Sequence, residues 1–161
     1  MKLCANWLPR SPELTREVAR RAERIGLWGL GIGDSPHYGE LYAACADALS
    51  VTERLTVISS VTNPVTRHWS VHASAARTLG EGYGSGRFVL GMGRGASAVR
   101  TFGLAPAPLV VFEQALTEIG EFARYKDVDG DGIDDSVEVG SPSSPTDTDG
   151  DGTIDALESA N

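Results

Sequence analysis

The sequence predicts an α/β protein, with four short parallel strands joined by helices and followed by an irregular acidic tail. Three observations carry this. Short apolar runs alternate four times with segments of helical period up to about residue 124, the pattern of parallel strands linked by helical crossovers. Charge then changes abruptly: all 14 Lys and Arg precede residue 127, whereas 11 of the 22 Asp and Glu follow residue 126. Beyond that point the pattern Asp-x-Asp-Gly-Asp-Gly-x-x-Asp-x-x-Glu occurs twice, from Asp127 to Glu138 and from Asp147 to Glu158. The expected division is therefore residues 1–124 and 125–161.

Residues 1–6 form the first strand candidate. Ser11-Pro12-Glu13 then reads as N-cap, first helical residue and early acid, the combination that opens a helix. Leu14, Val18, Ala22 and Ile25 recur on one face of that helix, and Gly26 is its expected stop. Leu27 to Ile32 is the second strand, ended by Gly33. Leu41, Ala44, Cys45, Ala48 and Leu49 line one face of a second helix. Leu55 to Ser60 is strand three, and Val71, Ala75 and Leu79 mark a third helix after the loop Thr62 to Trp69. Phe88 to Met92 is strand four, running into Gly93-Arg94-Gly95, and the last helix spans Pro106 to Arg124.

Strands that are apolar throughout are paired in parallel with helices as cover, and in such sheets chemistry gathers at the carboxyl ends of the strands. The loops expected there are polar: Asn6-Trp7, Asp34-Ser35-Pro36-His37, Thr62-Asn63-Pro64 and Gly93-Arg94-Gly95-Ala96-Ser97. The opposite rim, with Gly80-Glu81-Gly82, reads as connection. His37, beside Asp34, is a candidate proton donor or acceptor, and capping explains it equally well. Gly91-x-Gly93-x-x-Ala96 has the form of a dinucleotide fingerprint, but it follows the fourth strand, and the acid about twenty residues on, Glu113, falls on a helix. His68 and His72 stand one helical turn apart with no third ligand nearby, and read as loop and surface histidines. Trp7, Trp28 and Trp69 read as packing residues. Cys4 and Cys45 show no metal or redox spacing and read as buried free thiols.

Composition excludes several classes. No apolar run approaches the roughly 20 residues of a membrane span, and the N-terminus lacks a basic-then-apolar leader, so the expectation is a soluble, unexported chain. The basic residues are scattered, without a cluster or interleaved aromatics, which argues against nucleic acid as a partner.

Three segments carry a family resemblance: Asp34-Ser35-Pro36, Val61-Thr62-Asn63-Pro64-Val65-Thr66-Arg67-His68, and Leu90-Gly91-Met92-Gly93-Arg94-Gly95-Ala96-Ser97-Ala98-Val99-Arg100. With Gly103-Leu104-Ala105-Pro106-Ala107-Pro108, they resemble, in order and over roughly residues 1–122, the bacterial luciferase-like monooxygenases. The nearest branch is that of deazaflavin-dependent reductases related to methylenetetrahydromethanopterin reductase. The resemblance implies a (β/α)₈ barrel moving hydride through FMN or the deazaflavin coenzyme F-420 at its carboxyl rim. It implies Asp34 facing the ring or substrate, Thr62 and Asn63 passing backbone close to the ring, and Gly93, Arg94, Gly95 and Ser97 in the cofactor cradle. The family usually has Asp where this sequence has Ala96, which removes one expected acceptor. A complete barrel takes about 250 residues, so the expectation is an incomplete (β/α)₈ half whose two open sheet edges could pair with a second copy.

The two acidic repeats point to calcium. Each places oxygen ligands at loop positions one, three, five, nine and twelve, with Gly132 or Gly152 at the sharp turn of position six. Helix–loop–helix hands do not fit, because only Val139 to Thr146 separates the loops and it contains Pro142 and Pro145. The segment resembles type-three thrombospondin repeats. That resemblance implies one site from Asp127, Asp129, Asp131, Asp135 and Glu138, and another from Asp147, Asp149, Asp151, Asp155 and Glu158. Luciferase-like reductases act in the cytoplasm and such repeats outside the cell, so the two resemblances leave the compartment open and describe a chimera.

Overall fold

A computed structural model describes residues 1–84 and 86–123. The elements run β1 (Cys4–Trp7), α1 (Pro12–Arg24), β2 (Gly29–Ile32), α2 (Leu41–Ser50), β3 (Thr56–Ser59), α3 (Trp69–Gly82), β4 (Phe88–Val89), α4 (Ser97–Thr101) and α5 (Leu109–Phe122). The strands form one sheet in the order β1-β2-β3-β4, and every neighbouring pair is parallel. This is the expected four-stranded part of a (β/α)₈ barrel. The ten proposed calcium ligands, Asp127, Asp129, Asp131, Asp135, Glu138, Asp147, Asp149, Asp151, Asp155 and Glu158, lie outside the described residues.

The core sits on one face of the sheet. Leu30, Ile32 and Val57 pack against Ala19 and Ala22 of α1, and against Leu41, Cys45, Ala48 and Leu49 of α2, with Leu55 and Leu79 completing the cluster. Alternation along a strand sends the intervening residues to the other face, where the register brings Asn6, Gly31, Ile58 and Val89 into one row. In that row Asn6 is exposed, Ile58 half-buried and Val89 exposed.

Helix starts follow their caps. Ser11 accepts the amide of Leu14 at 3.2 Å and Pro12 occupies the first turn, while Glu40 accepts the amide of Ala43 at 2.8 Å ahead of α2. The buried face of α2 is the five residues expected. That of α1 is rotated: Thr15, Ala19 and Ala22 are buried, whereas Leu14 and Ile25 are exposed. Size explains the rotation, because α1 lies close against α2 and small residues occupy the seam, while Thr15 satisfies its hydroxyl on the Ser11 carbonyl. In α3 the buried residues are His72, Ala73 and Leu79, and Val71 faces outward. Gly80 and Gly82 belong to α3 rather than to a turn. The last helix starts at Leu109 instead of Pro106, since Pro106 and Pro108 each disfavour helical backbone in the residue before them. Cys45 is buried but Cys4 is exposed, because Cys4 stands on an outer strand, on the sheet face opposite the core formed with α1 and α2. No helix among the described residues is long and apolar enough to cross a membrane.

Candidate functional site

Parallel pairing puts the carboxyl ends of all four strands on one rim, and the polar loops meet there. Beyond β3 the chain continues through a cis peptide between Ser60 and Val61. Thr62 then pairs with the segment after β4: its amide donates to the Gly91 carbonyl at 3.1 Å, and the Gly93 amide donates to the Thr62 carbonyl at 2.8 Å. Gly91 is required at this seam. A Cβ there would overlap the Ser59 carbonyl oxygen, and the Ser59 hydroxyl is bonded to both the amide and the carbonyl of Gly91. Gly95 has a φ of +79° and its α-carbon faces Val99 and the Asn63 side chain, so the backbone turns tightly around the buried Asn63.

A cavity of about 530 Å³ opens on this turn, lined among others by Val61, Thr62, Asn63, Gly93, Arg94, Gly95 and Ser97. All six residues expected to form a cofactor cradle therefore border one space. Arg94 does so while bracing the loop: its Nε donates to the Ala107 carbonyl at 2.5 Å, and its own carbonyl accepts the Ala107 amide at 2.9 Å.

A second cavity of about 360 Å³ lies alongside, with Ala98 bordering both. Its polar wall is built on Asp34, at the end of β2. Asp34 Oδ2 accepts the Thr62 hydroxyl at 2.7 Å and Arg67 Nη1 at 2.5 Å, and Arg67 Nη2 donates to Glu40 at 3.1 Å. The Asp34 and Arg67 side chains are only 10% and 21% exposed, so this pair is screened little by water. Burial works against the Arg67 charge, but the Asp34 hydrogen bond and charge outweigh it and hold the guanidinium pKa above its ordinary value. Asp34 thus links the two cavities, one through Thr62 and the other through Arg67. His37 is different: it sits exposed on the turn after Asp34 and lines neither cavity.

Four residues of this rim escape a reading of the sequence: Arg67, Glu40, Tyr42 and His72. His72, expected at the surface, is fully buried. Its Nδ1 meets the Tyr42 hydroxyl at 2.5 Å and its Nε2 meets the Asn63 carbonyl at 3.1 Å. His68 does stay exposed, as the N-cap of α3, where it accepts the Ser70 amide. Among the described residues no three His, Cys, Asp or Glu are grouped as a metal site. Arg67 had a signal, since it stands in the Val61–His68 segment, but its partners are 33 and 27 residues away.

Known structures share this architecture. The coenzyme F420-dependent tetrahydromethanopterin reductase of Methanopyrus kandleri superposes with a TM-score of 0.65 at 24% identity, over 80% of this chain and 40% of that one. The monooxygenase RslO1 of Streptomyces bottropensis does so with a TM-score of 0.66 at 20% identity, over 83% of this chain and 46% of its own. The chain thus spans less than half the length of either, and at these identities the likeness is one of fold. The family model described as luciferase-like monooxygenase matches residues 7–132, which takes in the last residue of β1, everything from α1 through α5 and every residue of both cavity walls. On that match, the chain belongs to the luciferase-like monooxygenase family.

Proposed function

We propose that the carboxyl rim binds FMN or a deazaflavin coenzyme as part of a hydride-transferring oxidoreductase site, and that the acidic repeats bind calcium. The observation that carries the first reading is the meeting of Thr62–Asn63 and Gly93–Ser97 around a single cavity beside Asp34. Its volume of about 530 Å³ lies inside the usual range of small-molecule sites, roughly 300–1,000 Å³. Gly93, Gly95, Ala96, Ser97 and Ala98 make much of its lining small, which would let a flat ring approach the backbone closely. The cofactor, when bound, supplies the hydride chemistry. Asp34 and Arg67 would orient the reacting partner from the adjoining cavity, and Thr62 would keep the carboxylate aimed at the boundary between the two. Because this chain spans 40% and 46% of the two solved structures, turnover is proposed for an assembly that completes the barrel. Among the described residues β1 and β4 are the outer strands of the sheet, and their edges are where a second copy would pair. Titrating FMN and the deazaflavin coenzyme separately, with quenching of their fluorescence as readout, tests the reading. Micromolar binding of one supports it, and no quenching by either removes it.

The repeated acidic pattern favours a second reading, in which residues 125–161 form a calcium-stabilised module and residues 1–124 serve as a non-catalytic scaffold. Repetition of the glycines in register supports calcium over a merely solvated tail. Extracellular modules of this type bind calcium at about 10⁻⁴–10⁻³ M. Calorimetric titration of the full chain in calcium is decisive: heat that chelator abolishes supports the module, and absence of heat ends it. Calcium binding without cofactor binding selects the scaffold.

A further inference from the structure

Beside the two cavities lies a pair that lines neither, half-buried Tyr42 of α2 and fully buried His72 of α3. A carbonyl oxygen can only accept, so the contact with Asn63 places the proton of His72 on Nε2. In the neutral ring Nδ1 is then a lone pair, and it receives the Tyr42 hydroxyl proton. Burial lowers the His72 pKa and raises that of Tyr42, so both groups stay in the forms this arrangement needs. The charged and titratable groups facing the pair are Cys45 of α2, Glu40 before it, Asp34 after β2 and Arg67 of the loop. Arg67, stacked over the Tyr42 ring at 5.7 Å, opposes a charge on the imidazole, and Asp34 favours one.

The residue so held is a hub. Asn63 is 2% exposed, and its Oδ1 accepts the amides of Val65 and Thr66, each at 3.0 Å, and the Thr66 hydroxyl at 3.2 Å. That turn delivers Arg67 to Asp34. We propose that Tyr42 and His72 are positioning residues for the carboxyl-rim site: the neutral, Nε2-protonated imidazole fixes the Asn63 carbonyl, and through it the Thr62–Arg67 wall and the Arg67–Asp34 pair. The cofactor this wall serves rests on the oxidoreductase reading, whereas the hold on Asn63 does not.

The test is nitrogen-15 NMR of the full chain. In the unsubstituted protein the His72 ring should show protonated Nε2 and bare Nδ1, and should titrate below an ordinary imidazole. Tyr42→Phe, which removes only the hydroxyl, should raise the His72 titration midpoint. It should also speed hydrogen exchange at the Val65 and Thr66 amides by about 10-fold relative to amides of α1. The same variant should weaken FMN or deazaflavin binding. A proton on Nδ1 in the unsubstituted chain, or exchange at Val65 and Thr66 unmoved in Tyr42→Phe, overturns the proposal. The tautomer is read without substitution, so it decides even where a variant does not fold. Expected tautomer and exchange with no binding of either cofactor by the unsubstituted chain overturn the cofactor role and leave the hold demonstrated.

Discussion

The two rims of the sheet use charged residues in opposite ways. At the amino ends of the strands the charges are consumed by main chain. Glu23 Oε1 accepts the amides of Glu53, Arg54 and Leu55 at 2.9, 2.6 and 3.0 Å. Arg87 donates to the Leu55 and Tyr83 carbonyls and to Thr52, and Thr52 in turn donates to the Ala48 carbonyl. These side chains close the turns that feed β3 and β4. At the carboxyl ends the charges meet one another, Asp34 with Arg67 and Arg67 with Glu40, beside open volume. One rim is therefore wired for stability, while the other has its charges free to face the proposed ligand, the division of labour expected of (β/α) barrels.

The largest expected effect comes from breaking the amino rim. Arg87→Ala leaves the Leu55 and Tyr83 carbonyls and the Thr52 hydroxyl without their shared donor, and should lower stability by about 2 kcal/mol, read by urea denaturation. Cofactor affinity should not change beyond the fraction unfolded. A variant that loses affinity while keeping its unfolding midpoint would erase the distinction between rims.

Asp34→Asn is the converse and should act next most strongly. The amide keeps the side chain's shape and can still accept the Thr62 hydroxyl, but it removes the charge that Arg67 answers. We expect cofactor or substrate affinity to fall about 10-fold, equivalent to about 1.4 kcal/mol, with Glu40 still pairing Arg67 and the unfolding midpoint shifting less than in Arg87→Ala. His37→Ala sharpens the same comparison. Since His37 is exposed and lines neither cavity, neither property should move, and a large loss of affinity would put the site elsewhere on the rim.

What was legible in the sequence and what was not follows the same physics. Parallel pairing and the α2 face come from local pattern, and the six residues Thr62, Asn63, Gly93, Arg94, Gly95 and Ser97 sit where strand ends must lie. The α1 face was misplaced because Leu14 and Ile25 look like core by hydrophobicity alone, while close helix packing selects small residues such as Ala19. Tyr42 and His72 are 30 residues apart, and nothing in the composition near either signals the other.

The smallest expected effects separate the rims by acidity. His72 has a folded pKa below its ordinary 6.5, through burial first and the nearby Arg67 second. The unfolded chain then binds the extra proton more readily, so the stability tied to neutral His72 is complete above about pH 6.5 and declines as pH falls through the window beneath it. Glu23 also has a lowered pKa. Burial alone would raise it, but the three backbone amides outweigh that and pull it below 4.5. Its contribution is therefore intact above about pH 4.5 and is lost only as pH falls through the lower folded value. Acidification should accordingly loosen the carboxyl rim before the amino rim. Amide exchange followed from about pH 7 down to about pH 3 should show Val65 and Thr66 losing protection first, with Arg54 and Leu55 following only below about pH 4.5, and Glu23→Gln should abolish only the second phase. Simultaneous loss at both rims would mean that they share one titrating group, and the contrast between a stabilising edge and a ligand-holding edge would fail.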